Sequence, residues 1–234
     1  MRKRTFFCGT VALWVTTGIL LCASFTGCQS GLFTVLYLLK GNEVKPKYEI
    51  LLKGEKRVAV VCKCLATNYS DIQNAPREIA HQVSGSLDKN VQNKKLKIVD
   101  TEKIDAWLDD CNNDFDSFVE VGKAKGIDAD IVIGIEILGF QLRDPKSHYL
   151  LQGKCQAVVR AYDCKTGECL VTERLSVVDP PNTPISAGSA GVELAFRPQF
   201  ITVVSQQIAV LFHQHDPNRS RRIDADNLQM QTMN

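Results

Sequence analysis

Two short, continuous apolar runs constrain the fold of this chain more than any other feature. They cover residues 57–62 and 129–138, and both are rich in β-branched side chains. Runs of this length are typical of strands that are buried on both faces of a sheet. Amphipathic segments lie between the two runs. This alternation predicts parallel strands joined by helices in a layered α/β fold.

Helical spacing of apolar residues and capping residues predict four helices. The first is expected over 76–91, the second after a cap at Asp100 or Thr101, the third over 115–125 with Asp114 as its cap, and the last from Pro198 onward. A polar loop over 179–191 separates the last helix from the strands before it. The helices therefore fall between strands early in the chain and after them at its end.

Three further strands complete the predicted order β-α-β-α-α-β-β-β-α. They are expected over 96–99, 152–162 and 168–178. Gly167 supplies the positive φ of a tight turn, so the last two strands form an antiparallel hairpin. Parallel strands together with this hairpin predict a mixed sheet. We therefore predict a single three-layer α/β domain over residues 57–215.

The first 27 residues carry the three parts of an export signal. A basic start precedes an apolar run over 6–21, and the dipeptide Thr-Gly precedes Cys28. This ending resembles the lipobox of bacterial lipoproteins, although Phe25 stands where that family usually has Leu. In that family the cysteine is acylated and becomes the new N-terminus, which predicts a signal peptide over 1–27 and lipidation of Cys28. Two alternatives stay open, an uncleaved membrane anchor and an ordinary cleaved signal.

The segments on either side of the domain are predicted to lack a fold of their own. Residues 28–56 are expected to form a lipidated tether with an edge strand over 48–52. The apolar run over 31–39 is too short to span a bilayer, and it could lie at the membrane interface or dock on the domain. Residues 216–234 are polar and are predicted to be a disordered tail.

The charge balance argues against one class of function. The chain has 28 Lys+Arg against 26 Asp+Glu, and removal of the signal takes away three basic residues and leaves 25 against 26. A nearly neutral mature chain does not indicate a nucleic-acid-binding surface. The acyl anchor is therefore the predicted contact with the lipid membrane. The predicted location is the periplasmic side of the bacterial envelope, with the outer membrane favoured over the inner one.

Several short motifs together resemble one group of envelope proteins. They are an early VAVV strand, KIVD after a helix, the GIDADIVIG stretch over 126–134, and a hairpin from Tyr162 to Glu168. This pattern resembles the periplasmic domains of CsgG and LpoB and the N-terminal domain of TolB. The resemblance covers about residues 57–178 and implies an anticodon-binding or TolB-N-like sheet in a protein that binds another envelope protein. PPNTPI and FRPQF also resemble uncharacterised lipoproteins of planctomycete-type bacteria, which implies no activity.

The nine cysteines divide unevenly. Two belong to the signal and Cys28 is the predicted anchor, so six remain in a compartment that favours disulfides. Cys164 and Cys169 flank the predicted hairpin turn, where cross-strand Cβ atoms come within bridging reach, and we predict a disulfide between them. Cys62 and Cys64 point to the same face of one strand and are interpreted as buried, inert thiols. A zinc site would need two such pairs or nearby histidines, so no metal site is predicted.

The remaining polar clusters lack a complete catalytic or binding pattern. Residues 110–116 place oxygen ligands at alternating positions, but Phe115 and Val121 stand where a calcium loop needs Gly and Glu. His213 and His215 are interpreted as a polar helix end, and Ser189 lacks the spacing of a nucleophile elbow. No phosphate-binding glycine loop is present in the sequence.

We therefore predict a non-enzymatic protein-binding module with no catalytic residues and no cofactor. The alternative is a small-ligand-binding or enzymatic α/β domain. Its cleft would lie at the ends of the strands that start at Arg57 and Ala129.

Overall fold

The structure is a computed structural model that describes residues 43–65, 74–188 and 190–216. Residues 45–215 form one unit. Its elements in chain order are β1 Lys56–Cys64, α1 Ala75–Asn90, β2 Leu96–Ile98, α2 Thr101–Asp110, α3 Phe118–Lys123, β3 Ile131–Asp144, β4 Ser147–Asp163, β5 Cys169–Asp179, β6 Ile185–Ser186 and α4 Ala190–Ala209. The predicted signal peptide, the lipidation site at Cys28 and residues 217–234 lie outside the described residues.

A mixed sheet organises the unit, in the strand order β2-β1-β3-β4-β5. β1 runs parallel to both β2 and β3, whereas β3, β4 and β5 pair antiparallel, and the short β6 pairs with β4. The parallel neighbours are joined through helices, because the chain must cross back over the length of the sheet between them. The antiparallel neighbours need only short turns. This topology confirms the predicted α/β fold with a mixed sheet.

Helices cover both faces of the sheet, which gives the predicted three layers. On the first face, α1 and α4 pack over alternate residues of β1 and β3, including Val60 and Ile133. On the second face, α2 and α3 pack over the intervening residues Ala59, Val61 and Val132. The alternation follows from the two-residue period of a strand. Residues 58–62 and 131–135 of the two apolar runs are therefore buried on both sides, as their composition predicts.

Local turn chemistry agrees with the sequence at two positions. Asp100 caps α2, since its side chain accepts a hydrogen bond from the backbone N–H of Glu102 at 3.1 Å. Gly167 has a φ of 77° in the turn between β4 and β5, a conformation that side chains other than glycine rarely adopt. The predicted hairpin is thus confirmed, with β5 paired along β4.

One predicted element is wrong, and another begins earlier than predicted. The edge strand expected over 48–52 is instead a 3-10 turn over Glu49–Leu51, which buries Leu51 and is held by a 2.9 Å bond from the Tyr48 amide to the Leu211 carbonyl. The last helix begins at Ala190, and Pro198 lies inside it. The missing amide of Pro198 leaves one carbonyl in the preceding turn unbonded, and that turn is mostly exposed, so water can satisfy it.

The bounds of the middle elements also differ from the sequence prediction. α3 starts later, because Ser117 rather than Asp114 is its cap and accepts from the Glu120 amide at 3.3 Å. β3 and β4 pair far beyond the predicted ends, as far as Asp144 and Ser147. Within the described residues, no helix has both the length and the apolar character needed to cross a bilayer.

Candidate functional site

The two helical layers cover unequal lengths of the sheet. On the first face, α4 reaches the extended part of β3 and β4, where Phe200 packs on Phe140 and against the bare backbone of Gly153. On the second face, Phe118 of α3 packs against Gly134, and the core of that face includes no later residue of β3. The sheet therefore continues beyond its second helical layer.

We call the uncovered part of the second face the open face. Strand pairing shows which residues belong to this face, because directly opposite residues of antiparallel strands point to the same side of the sheet. Lys154 lies opposite Val178, Gln156 opposite Ser176, and Val158 opposite Arg174. The open face comprises Lys63, Leu65, Glu136, Leu138, Gln141, Lys154, Gln156, Arg160, Arg174, Ser176 and Val178, and Val158 lies on the same side of β4 but is buried.

A β-bulge shapes the centre of this surface. The ladder between β3 and β4 shifts between Ile137 and Gly139, so Leu138 has no partner of its own. Ile137 stays in the first-face core, while 46% of Leu138 is exposed on the open face. Bulges reorient side chains in this way and are frequent beside functional sites.

Two open clefts lie on the open face, and Leu65 at the carboxyl end of β1 borders both. The first has a volume of about 480 Å³ and lies between the ends of β3, β4 and β5, with Leu138, Lys154 and Val178 in its lining. The second has a volume of about 420 Å³ and lies beside α3. Its lining includes Lys63, Glu136 and Tyr162.

Protein groups already bind Lys63 and Glu136, the charged strand residues that line the second cleft. The Lys63 ammonium donates to the Phe115 carbonyl at 3.1 Å and lies 4.6 Å from the centre of the Phe115 ring. The Arg160 guanidinium donates to Glu136 at 2.5 Å, and this bond raises the pKa of Arg160. Burial raises the pKa of the Tyr162 hydroxyl. These groups therefore hold the shape of the cleft.

The two cysteines of the predicted disulfide lie in different environments. Cys164 is buried in the second-face core, where a Cβ on Gly122 would lie 2.5 Å from its sulfur, and burial raises its pKa to about 11. Cys169 is exposed, and its thiol donates to the Val171 carbonyl at 3.1 Å. Its cross-strand partner is Tyr162, because the ladder shifts next to the turn. The Cys164–Cys169 bridge stays a prediction.

Three other thiols lie near one another on the first face. Cys62 is buried, and burial is the main cause that raises its pKa. The neighbouring thiols of Cys155 and Cys64 raise it further. Burial also raises the pKa of Cys155, to about 12. A thiol is a poor nucleophile and metal ligand while it stays protonated. Cys62 is thus buried as expected, whereas Cys64 is partly exposed.

The structure does not assemble the other candidate residues into a metal or catalytic site within the described part of the chain. The segment over 110–116 connects α2 to α3, with Asn112 and Asn113 at positive φ. His81 pairs with Asp105 at 2.7 Å, whereas His213 is buried beside Gln214. Ser189 lies outside the described residues. Across the described part of the chain, no group of three metal-ligating side chains was found.

Sequence reasoning did not identify the open face. One signal was present, because polar and apolar residues alternate through β5, with Thr172, Arg174 and Ser176 on one side and Val171 and Val177 on the other. That alternation is typical of a strand with one solvated face. It does not reveal that the neighbouring parts of β3 and β4 are solvated on the same side.

Comparisons with known proteins found similarity in structure alone. No protein-family model matches the chain, and no curated protein matches it. Solved structures that are similar include the PelC dodecamer from Paraburkholderia phytofirmans (TM-score 0.41, 10% identity, 74% of this chain and 99% of that one). Lipoprotein GNA1162 from Neisseria meningitidis has a TM-score of 0.38 at 12% identity, over 65% of this chain and 96% of that one.

The LpoB C-terminal domain from Salmonella enterica is also similar, with a TM-score of 0.34 at 11% identity over 61% of this chain and 91% of that chain. LpoB belongs to the group that the sequence motifs resemble. The TM-scores of all three structures are too low to support an argument about function. The fold class therefore rests on the sheet and helices themselves, which define a three-layer α/β domain with a mixed sheet.

Proposed function

We propose that this protein is a membrane-anchored lipoprotein of the bacterial envelope that binds another envelope protein through its open face. The observation that carries the proposal is the open face itself, where exposed apolar side chains surround a cleft on an extended sheet. The export signal that ends at Cys28 supports the location, and the motifs shared with the CsgG, LpoB and TolB group support a protein partner.

The composition of the open face suits a protein interface. Leu65 is 51% exposed, Leu138 46% and Val178 37%, and all three border the larger cleft. Apolar side chains that cluster at a surface and are rimmed by polar residues mark sites of association. Around them stand Gln141, Gln156 and Ser176, which can form the polar rim.

A non-enzymatic role agrees with the state of two charged groups in the smaller cleft. Lys63 and Glu136 are the charged strand residues of the smaller cleft, and each is bonded to another group of the protein. A catalytic acid or base must instead reach the reacting atoms of a substrate. We propose that these residues stabilise the wall of the cleft, and that no cofactor takes part.

Photo-crosslinking in intact cells tests the binding surface. A crosslinking amino acid at Gln156 on the open face is expected to capture a specific envelope protein. The same amino acid at Gln92, another exposed glutamine, which follows α1, is the matched control. Capture of the same proteins with equal yield from both positions, or of none from Gln156, would contradict the proposal.

Lipidation is tested separately with radiolabelled palmitate. Label is expected on the wild-type protein and not on the Cys28→Ala variant, because the cysteine thiol accepts the acyl chain. Sucrose-gradient separation of the two membranes tests the proposed placement on the periplasmic side of the outer membrane. Unchanged label on Cys28→Ala would end the lipid-anchor proposal and leave the binding surface to its own test.

The second cleft favours a second candidate function, the binding of a small molecule. It lies at the carboxyl end of β1, where open α/β sheets commonly bind ligands, and Tyr162 gives it an aromatic wall. Native mass spectrometry of the purified full chain would show a bound molecule. Stoichiometric ligand together with no capture from Gln156 would favour this alternative.

A further inference from the structure

We infer that the partner docks an acidic, amphipathic polypeptide segment on the open face. This inference rests on the proposed function and specifies the chemistry of the partner. Within the described residues, the strands of the open face carry four basic side chains, Lys63, Lys154, Arg160 and Arg174, against one acidic side chain, Glu136. The segment before α3 adds one further carboxylate, Asp116, to the lining of the smaller cleft, so basic side chains still outnumber acidic ones by four to two. The mature chain as a whole is nearly neutral, with 25 Lys+Arg against 26 Asp+Glu. The basic excess is therefore a local property of this surface.

Two of the four basic groups face outward without a carboxylate opposite them. Arg160 is bonded to Glu136, and Lys63 is bonded to the Phe115 carbonyl. Lys154, in contrast, lies opposite Val178, and Arg174 lies opposite Val158. The nearest acidic residue in sequence to Arg174 is Glu173, which points to the first face and bonds Lys47 and Tyr48 there. Lys154 and Arg174 thus set the charge that a partner meets.

The apolar groups stand among these charges. Val178 is directly opposite Lys154, and Leu138 and Leu65 border the same cleft. Lys154 and Arg174 are offset by four ladder positions, or roughly 13 Å along the strands. A complementary partner therefore places carboxylates about that far apart and apolar side chains between them, since opposite charges and buried apolar groups must both be matched.

The shape of the surface favours a polypeptide over an anionic membrane. The clefts of about 480 and 420 Å³ are concave, and α3 stands beside the smaller one. Side chains of a polypeptide can enter such clefts, whereas a planar bilayer meets the highest points of a surface and leaves concave regions wet. Charge complementarity alone would suit both partners, so the experiment includes both.

The test uses the full-length mature lipoprotein in non-ionic detergent with three probes. The first is a fluorescent peptide of alternating Glu and Leu, the second is the same peptide with Lys in place of Glu, and the third is a phosphatidylglycerol vesicle. We expect the acidic peptide to bind, the basic peptide not to bind, and added salt to weaken the complex. Anisotropy titrations measure the first two probes and flotation measures the third.

Charge reversal locates the site. The double variant Lys154→Glu/Arg174→Glu is expected to lower the affinity for the acidic peptide at least about tenfold, because two attractive contacts become repulsive. Lys103→Glu on the exposed side of α2 is the matched control and is expected to leave the affinity unchanged. Circular dichroism of the variants ensures that a loss of binding is not a loss of fold.

The outcomes separate the two proposals. Equal affinity for both peptides, or an unchanged affinity in the double variant, would overturn the inference of an acidic partner. This holds even where Gln156 still captures a protein in cells. Tight flotation with vesicles and no peptide binding would also overturn it, and would identify the surface as lipid-binding. Absence of any capture from Gln156 would overturn the proposed function itself. A captured protein whose crosslinked peptide is acidic and amphipathic would support both.

Discussion

The two faces of the sheet differ in how far helices cover them. On the first face, α1 and α4 bury β3 from Ile131 to Phe140, and Phe200 reaches the extended ends of the strands. On the second face, α2 and α3 bury Val132 and pack on Gly134, whereas Leu138 further along the same side of β3 is exposed. The difference shows that one strand can supply a core on one side and an exposed surface on the other.

The largest expected difference is in the free energy of unfolding between two alanine variants, one at a large apolar residue of each face. Phe200 is fully buried and contacts the rings of Phe140 and Phe196, so Phe200→Ala is expected to cost about 3–5 kcal/mol of unfolding free energy. Leu138 is half exposed, so Leu138→Ala is expected to change stability by less than about 0.5 kcal/mol. Urea denaturation measures both. Similar losses for the two variants would show that the open face belongs to the core.

A second pair compares two glycines of the extended strands. A Cβ on Gly153 would meet the Phe200 ring, so Gly153→Ala is expected to destabilise the protein by about 1–3 kcal/mol through overpacking. Gly139 has nothing within 4 Å of the same position, and Gly139→Ala is expected to be neutral or slightly stabilising. Thermal unfolding of both variants checks this contrast. A stable Gly153→Ala protein would mean that α4 does not pack closely on the extension.

Acidic pH is expected to lower the free energy of unfolding through the protonation of His213, which lies in the first-face layer. Burial lowers the pKa of His213, and its Nδ1–H donates to the Gln214 carbonyl at 2.7 Å, while Nε2 lies 3.4 Å from the Ser86 hydroxyl. The other titratable group near it is His215, whose ring centre lies 6.4 Å away. The unfolded chain therefore binds a proton more readily, and stability falls as the pH drops below about 6.5 and through the folded-state pKa.

Urea midpoints at pH 7.5 and pH 5 measure this effect. The wild-type protein is expected to lose stability between them, and His213→Gln is expected to lose less, because glutamine keeps a donor and acquires no charge. Equal losses in the two proteins would assign the acid sensitivity to other groups.

The smallest expected effect concerns the turn between β4 and β5. A bridge between Cys164 and Cys169 would close a loop of only a few residues, so its effect on the unfolded chain would be small. Mass spectrometry of unreduced peptides decides whether it forms. A free thiol at Cys164 would end the prediction and leave that side chain as packing for Gly122, as the structure places it.

The sequence predicts the order of the elements well, because the signals for that order are local. The buried runs that become β1 and β3, the cap at Asp100 and the positive φ of Gly167 each depend on a few neighbouring residues. The pattern that predicts an export signal is equally local. Pro198 shows the limit of such signals, because a residue that favours a helix start can lie inside a helix where its missing donor costs little.

The amino-acid sequence by itself determined which segments form strands and helices and which of their sides are apolar. Only the tertiary structure decided where the helical layers end on each face, and therefore that Leu138, Lys154, Arg174 and Val178 share one surface. The physical reason is that coverage of a strand depends on elements distant in the chain, α4 on one side and α3 on the other. The periodicity of a strand records its two faces but not the length over which each face is buried.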